Sequence, residues 1–333
     1  MANEMKKAAP FGMKDKVGYM FGDFGNDFTF LLSSSFLMKF YTDVMGVNAA
    51  IVGMVMMIAR FVDAFTDVGM GQIVDHSKPN KDGKFRPWIK RMCGPVAIAS
   101  FLIYQSGLAG MPYGFKVAWL FVTYILWGSI FYTSINIPYG SMASAISSDP
   151  KDRADLSTWR TIGSTLANMV IGVATPMVAY VVVDGKTVMS GSRMTIIAGV
   201  FSICAILCYI VCFKLTSERV EVPASNQKIS ASAIFKSIFT NKALLGIIVA
   251  AIFVLLSQLT VLSLAGYVYP NVYGSAAAQS TASLLGTVVM LVVCAPFASK
   301  LSAKFGKKEL AMGSSIFSAL VWLVCLIWRP ASV

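Results

Sequence analysis

Nine long apolar segments, separated by polar connectors, dominate the pattern along the chain. Each holds about 20 mainly apolar residues, which is the length that an α-helix needs to cross a lipid bilayer. The pattern predicts spanning helices at 17–41, 48–71, 88–108, 115–144, 157–183, 194–215, 242–266, 278–298 and 310–328. We therefore predict an all-α integral membrane protein.

The longest polar connector, at residues 216–241, separates six of these spans from three. It contains Pro223 and several serines, a composition that is typical of loops. We predict an amino-terminal six-helix bundle at 1–215, a cytoplasmic linker at 216–241 and a partial carboxyl-terminal bundle of three helices at 242–333.

The composition argues against a soluble protein. Hydrophobic residues make up 56% of the chain and charged residues 13%, and the mean hydropathy is +0.68. In soluble domains about a quarter of the residues are charged. The net charge of +12 would suit binding to nucleic acid, but the basic residues gather at the ends of apolar segments, as they do in loops beside a membrane. The six cysteines form no C-x-x-C pair, and we assign them no function.

The distribution of basic residues predicts the orientation in the membrane. If the amino terminus is cytoplasmic, 22 of the 28 Lys and Arg residues lie on the cytoplasmic side and only four lie outside. This asymmetry is what the positive-inside rule requires. The polar segment 1–16 has no apolar core, so it is not a signal peptide. With nine spans, Val333 would lie outside the cell.

Basic, glycine-containing connectors occur at 71–86 and again, six helices later, at 300–308. Such repetition is typical of transporters built from three-helix repeats. The first copy contains a candidate gating motif, Asp75, Gly83, Lys84 and Arg86. The nine spans would then be three of four triplets. We expect twelve transmembrane helices in all, with the C-terminal triplet missing here, and no transport without it.

The second span carries three charged residues, Arg60, Asp63 and Asp67, on one stripe of the helix. A charge near the centre of a bilayer costs about 2.5–3.5 kcal/mol on insertion scales, so each needs a reason. One interpretation is a salt-bridged packing cluster. The other is a cation site, because two carboxylates exceed one arginine and hard cations prefer oxygen ligands. The fourth span offers neutral oxygens in Tyr132, Thr133, Ser134 and Asn136.

The first span carries Asp23, Asn26 and Asp27. Asp23 is as well explained by a hydrogen bond between helices as by a functional role, whereas Asp27 lies deeper and is expected to face a polar pathway. A carboxylate beside an amide suits sugar hydroxyls, which both donate and accept hydrogen bonds. Gly18 and Gly22, spaced as G-x-x-x-G, allow close helix packing. Lys39, near the outer end of this span, is expected to snorkel to the membrane surface.

Six motifs resemble those of the glycoside–pentoside–hexuronide:cation symporter family. They are GDFGND at 22–27, FYTDV at 40–44, RFVDAFTD at 60–67, GKFRPW at 83–88, TYILWG at 123–128 and NIPY at 136–139. Each is weak alone, but six in the right order at matching helices are specific. The resemblance covers the first six spans, while the last three resemble the family only generally.

The resemblance implies a major-facilitator fold of twelve helices with alternating access around a central site. It implies that Asp63 and Asp67 are the cation ligands, binding Na⁺ if the coupling ion is Na⁺, with Thr133 as a third ligand. It also implies that Asp27 is the principal sugar-binding carboxylate and that Arg160 is a sugar-side arginine. No cofactor is implied beyond the coupling ion, Na⁺ or H⁺.

Asn136, Asp23 and Asn26 complete the candidate sugar-binding set. Asn136 stands where the family's melibiose permease has an aspartate, and Asn26 where it has a lysine, so the resemblance does not imply galactoside specificity. The expected partners are a small sugar or glycoside, a monovalent cation and the lipid bilayer, without nucleic acid. The expected location is a bacterial cell membrane.

Two alternatives remain open at the level of sequence. An intramembrane prenyltransferase can have nine helices and uses D-x-x-x-D motifs to hold magnesium pyrophosphate, and Asp63 and Asp67 fit that spacing. The chain lacks a clear second motif of this kind within the membrane, and Arg60 would compete for the carboxylates. The other alternative is a sensor that is derived from a symporter but does not transport.

Overall fold

The computed structural model of the chain describes residues 9–222, 239–294, 297, 301 and 304–327. Most of the predicted linker, residues 223–238, therefore lies outside the described residues, as does 328–333. Nine long helices within the described residues coincide with the nine predicted spans. The all-α prediction is confirmed.

Six of these helices form the amino-terminal bundle. They are α1 (Met13–Lys39), α2 (Ala49–His76), α3 (Arg86–Ile103), α4 (Tyr113–Ile146), α5 (Pro150–Ala179) and α6 (Gly191–Leu215). Two contain or lead into a π-helical segment, in which the backbone is locally wider: α4 contains Leu126–Tyr132, and Phe40–Val44 follows α1. A 3₁₀ turn, Ser106–Leu108, lies between α3 and α4.

Three further helices follow the linker. They are α7 (Lys242–Asn271), α8 (Ala276–Val289, continued by a π-helical turn, Met290–Cys294) and α9 (Lys307–Ile327). By length and composition, five described helices can each cross a membrane: α2, α4, α5, α6 and α7. We call the end of the bundle that holds Met13 and Arg86 the inner end, following the predicted orientation, and the opposite end the outer end.

A short β-hairpin follows α5 at the outer end, where the predicted fifth span was too long. Its strands are β1 (Tyr180–Val183) and β2 (Lys186–Met189), paired antiparallel. The three consecutive valines of β1 favour extended backbone. Asp184 and Gly185 both have positive φ, 49° and 75°, as a type I′ hairpin turn requires.

Close packing of α1 against α4 and α6 holds Asp23, Asn26 and Asp27 of α1 in place. A Cβ atom at Gly22 would overlap the ring of Tyr139, and one at Gly18 would lie 2.8 Å from the Cβ of Leu215. The G-x-x-x-G spacing therefore does allow a close approach of neighbouring helices. Any side chain at these positions would push α1, with Asp23 and Asp27, away from α4 and α6.

The amino-terminal bundle and α7 touch near the outer end. The hydroxyls of Thr42 and Tyr267 lie 3.0 Å apart there. The only buried residues of α7 are Gly266 and Pro270, both in its outer third. The inner two thirds of α7 are largely exposed in the described part of the chain. Within the described residues, α7 therefore packs against the amino-terminal bundle through its outer third.

Candidate cation and sugar sites

Asp63 on α2 is held from two sides. The guanidinium of Arg60 lies 3.1 Å from one carboxylate oxygen, and the hydroxyl of Ser129 donates a hydrogen bond to the other. Arg60 also donates to the hydroxyl of Tyr124 at 2.8 Å. The arginine thus pairs with Asp63, as the packing interpretation expected, but this accounts for only one of the two aspartates.

Asp67, one turn further along α2, has fewer polar partners than Asp63. The hydroxyl of Thr133 donates to its Oδ1 at 2.8 Å. Its other oxygen accepts no hydrogen bond from the residues that the structure describes. Ser129 and Thr133, four residues apart on α4, therefore both face α2. Sequence analysis missed Ser129, although it lies one turn before Thr133.

A cavity of about 200 Å³ adjoins these side chains. It is lined by Phe30, Arg60, Asp63, Asp67, Trp127, Gly128, Tyr132, Thr133 and Asn136. Within the described ranges no group of three or more His, Cys, Asp or Glu side chains could hold a metal ion. The cavity brings together two carboxylates and neutral oxygens, and hard cations prefer oxygen ligands.

The carboxylates of α1 are more deeply buried. Asp23 is 6% exposed and Asp27 8%. The Nε of Arg160 on α5 donates to Asp23 at 2.8 Å. The Ser164 hydroxyl, one turn further along α5, makes a side-chain hydrogen bond to Asp27. Oδ2 of Asp27 is buried and has no hydrogen-bond partner among the described residues.

Asp23 and Asp27 differ in their partners. Asp23 already has a cationic partner in Arg160. Asp27 keeps a buried oxygen that needs a hydrogen-bond donor, since an unsatisfied buried acceptor costs about 1–3 kcal/mol. Sequence analysis missed Ser164, although it stands four residues after Arg160.

Asn136 lies between the two clusters. It lines the cavity beside Asp67, and its side-chain oxygen accepts a hydrogen bond of 3.2 Å from Asn26 on α1. The hydroxyl of Tyr209 donates to the side-chain oxygen of Asn26 at 2.8 Å. The structure therefore places these two candidate sugar residues in one chain of hydrogen bonds that reaches the cation cavity.

The candidate gating motif lies at the inner end and surrounds Glu218, a residue that the sequence did not single out. The Glu218 carboxylate accepts backbone hydrogen bonds from Lys84, Phe85 and Arg86, at 2.7, 2.9 and 2.7 Å. It thereby caps the first turn of α3, where backbone N–H groups lack helical partners. Its oxygens fill the space beside Gly83, whose φ is +107°. Glu218 was hidden in the predicted linker, and only the fold brings it to this loop.

Two neighbouring contacts join residue 219 to α1 and the loop before α3 to α2. Arg219 makes a two-point contact with Asp15, at 3.0 and 2.8 Å. Lys84 donates from its side chain to the backbone carbonyl of Asp75 at 3.0 Å. Residues 216–222 therefore pack against the bundle instead of forming a free linker.

The structure contradicts the expectation that Lys39 snorkels to the membrane surface. Its side chain is 1% exposed, and its Nζ lies 2.6 Å from Asp43 and 4.7 Å from the ring centre of Tyr267. The outer end of α7 covers this part of α1. Sequence analysis of one helix could not show which helix would pack over it.

Comparison with known proteins agrees with this architecture. Residues 18–333 match the family described as MFS/sugar transport protein. The chain belongs to this family. It is a multi-pass membrane protein of the major facilitator superfamily, so the resemblance stated from the motifs is confirmed.

Three relatives illustrate the family. The chain is 32% identical to the uncharacterized symporter YjmB of Bacillus subtilis (strain 168), over 93% of the chain and 66% of the relative. It is 30% identical to the glucuronide carrier protein homolog of Escherichia coli (strain K12), over 88% and 62%. It is 33% identical to the putative glycoside/cation symporter YagG of the same strain, over 62% and 44%.

The chain spans about two thirds of the length of the first two of these relatives. All three relatives are described as carriers or symporters, and neither they nor the family match supports the prenyltransferase alternative.

Proposed function

We propose that the protein expressed from its complete gene is a secondary active transporter. It couples inward movement of Na⁺ or H⁺ to uptake of a glycoside, pentoside or hexuronide, with an amino terminus in the cytoplasm. The observation that carries this proposal is the pair of carboxylate clusters inside a membrane-spanning bundle, each with one carboxylate that its arginine does not pair with.

The cation would bind at Asp63 and Asp67. Arg60 neutralises one of the two carboxylates, so the cluster retains one negative charge that a monovalent cation can balance. Thr133 and Ser129 supply hydroxyl oxygens within hydrogen-bond distance of these carboxylates. Protonation of Asp67 would balance the charge equally well, which is why both Na⁺ and H⁺ remain in the proposal.

The sugar would bind at Asp27, with Arg160 and Asp23 beside it. The free oxygen of Asp27 accepts a hydrogen bond from a sugar hydroxyl. Arg160, whose side chain is 42% exposed, keeps donor groups available after it pairs with Asp23. The proposed cycle includes no covalent chemistry and requires no cofactor.

A hydrogen bond between α1 and α4 connects the proposed sugar site with the proposed cation site. The Asn26–Asn136 hydrogen bond joins α1, one residue from Asp27, to the wall of the cation cavity. A cation that orders Asn136 would also order Asn26, and each ligand would then favour binding of the other to the same degree. Alternating access would break and re-form the outer contacts of α7.

A panel of sugars in proteoliposomes tests the proposal. The panel contains glucosides, galactosides, xylosides and glucuronides, each offered with an inward Na⁺ gradient, an inward H⁺ gradient or neither. We expect one class to accumulate above its external concentration, and only with one of the gradients. Uptake of no sugar under any gradient, or release of pyrophosphate from a prenyl diphosphate in the presence of Mg²⁺, would overturn the proposal.

A further inference from the structure

A second cavity, larger than the one beside Asp67, lies between α5 and α8. Its volume is about 470 Å³. It is lined by Thr161, Ser164, Thr165, Asn168, Ala282, Ser283, Gly286, Thr287 and Met290. We call it the α5–α8 cavity. One wall comes from the amino-terminal bundle and the other from a helix after the linker.

The lining of this cavity is polar but uncharged. Some hydroxyls are occupied within their own helices: Thr165 donates to the carbonyl of Thr161 at 2.8 Å, and Thr287 to that of Ser283 at 2.9 Å. The side chains of Asn168 and Ser283 make no hydrogen bond with the residues that the structure describes. They face each other's helices with their donors and acceptors available.

The cavity and the candidate sugar site are linked by one residue of α5, Ser164. Arg160, Ser164 and Asn168 follow one another at intervals of four residues, so they share one face of α5. Arg160 pairs with Asp23, and Ser164 both bonds to Asp27 and lines the cavity. From Arg160 to Asn168 this face extends about 12 Å along the helix axis. That length exceeds a single sugar ring.

The outer end of the cavity is closed by tight helix packing. A Cβ atom at Gly172 would lie 3.0 Å from the side chain of Ser283. One turn further out, the hydroxyl of Ser280 donates to the carbonyl of Val173 at 2.9 Å. The cavity therefore ends at Asn168 and Ser283.

We infer that the α5–α8 cavity binds the second ring, or the aglycone hydroxyls, of a glycoside whose first ring lies at Asp27 and Arg160. Asn168 and Ser283 are its specificity-determining residues. This inference rests on the proposed function and names the part of the substrate that the α1 cluster leaves unrecognised. Because one residue belongs to each half of the protein, a two-ring substrate would contact both halves and favour the arrangement in which they meet here.

Matched pairs of one-ring and two-ring sugars test the inference in the protein expressed from its complete gene. The pairs are methyl glucoside with maltose, methyl galactoside with lactose, and methyl xyloside with xylobiose. Asn168→Leu and Ser283→Ala each remove hydrogen bonds to the second ring. We expect the Kd of the disaccharide to rise about three- to tenfold, the loss of one neutral hydrogen bond, while that of the methyl glycoside changes less than about twofold.

Thr281→Val is the matched control, because Thr281 is on α8 and donates to its own helix at Ala277, outside the cavity lining. An equal change for both members of a pair, or no change for either, would overturn the inference and leave the proposed function standing. Wild-type protein that binds neither member of any pair overturns the inference, and it overturns the proposed function as well if glucuronides also fail in the panel of sugars.

A labelling experiment covers the case in which a variant folds poorly. Ser283→Cys should react with a maleimide that reaches the cavity, and the disaccharide should protect it while the methyl glycoside does not. Thr281→Cys, with the same probe, should show no protection by either sugar. Equal protection by both sugars at Ser283→Cys, or protection by neither, contradicts a site for the second ring.

Discussion

The carboxylate clusters of α1 and α2 share one plan and differ in their surroundings. Each has two aspartates four residues apart and one arginine. In α1 the arginine comes from another helix, α5, and both aspartates are less than a tenth exposed. In α2 the arginine precedes Asp63 by three residues on the same helix, and Asp67 is exposed to a cavity.

This difference indicates which ligand each cluster suits. A buried carboxylate oxygen without a partner, such as Oδ2 of Asp27, is stabilised by directional hydrogen bonds from a ligand that displaces water. A carboxylate that faces an open cavity, such as Asp67, can exchange a small ion through water without a large desolvation cost. In both clusters the arginine forms a salt bridge with one aspartate, and in the proposed function the other aspartate is left to bind the ligand. The predictions below test that division.

The largest effect is expected in the α2 cluster. Asp63→Cys and Asp67→Asn each remove the negative charge that the cation would balance, so stimulation of sugar binding by Na⁺ or H⁺ should disappear. Sugar binding itself should remain, because Asp27 and Arg160 are untouched. The measurement is the Kd of the sugar with and without the coupling ion, in the protein expressed from its complete gene.

Asp184→Asn is the control for this prediction. It also removes one carboxylate, but in the turn of the outer hairpin, where Asn tolerates positive φ. It should leave stimulation by the cation intact. Complete loss of sugar binding in Asp63→Cys would contradict separate tasks for the two clusters.

The next effect is expected in the α1 cluster. Asp27→Asn keeps the size of the side chain but removes the charge that accepts hydrogen bonds from the sugar. Charge-assisted hydrogen bonds contribute about 1.5–3 kcal/mol, so sugar affinity should fall about ten- to a hundredfold. Cation binding, measured by calorimetry, should persist. Normal sugar affinity in this variant would show that Asp27 is a structural residue.

Some of this architecture follows from sequence because it depends on local properties. A segment of about 20 mainly apolar residues favours a spanning helix whatever packs against it. The nine helices were therefore predicted, with ends shifted by a few residues. The predicted end of the fifth span was wrong, because hydropathy cannot distinguish an apolar strand from an apolar helix. The valines of β1 and the Asp184–Gly185 turn were the available signals.

The rest depends on contacts between helices distant in sequence. Glu218 reaches the loop at Lys84 only because α6 ends beside α3. Ser129 reaches Asp63 because α4 packs beside α2. Lys39 is buried because α7 covers it. Neither periodicity nor composition contains these pairings, and the motif resemblance supplied residue roles without the residues that position them.

The smallest effect is expected at Asn136, which joins the two clusters. Asn136→Ala removes its hydrogen bond to Asn26 and one polar group from the cation cavity. A neutral hydrogen bond contributes about 0.5–1.5 kcal/mol, and coupling free energies between sites are about 1–3 kcal/mol, so the loss can remove much of the coupling. We expect the ratio of sugar Kd values without and with the cation to fall about two- to tenfold.

The ratio separates coupling from direct contact. If Asn136 only touched the sugar, as its place in the candidate sugar set predicts, Asn136→Ala would weaken sugar binding equally with and without the cation, and the ratio would not change. Ser134→Ala is the matched control on the same helix, since the hydroxyl of Ser134 bonds within α4 to Ile130. A reduced ratio in Asn136→Ala but not in Ser134→Ala would identify the Asn26–Asn136 hydrogen bond as the link between the two clusters. An unchanged ratio would mean that the clusters communicate by another route.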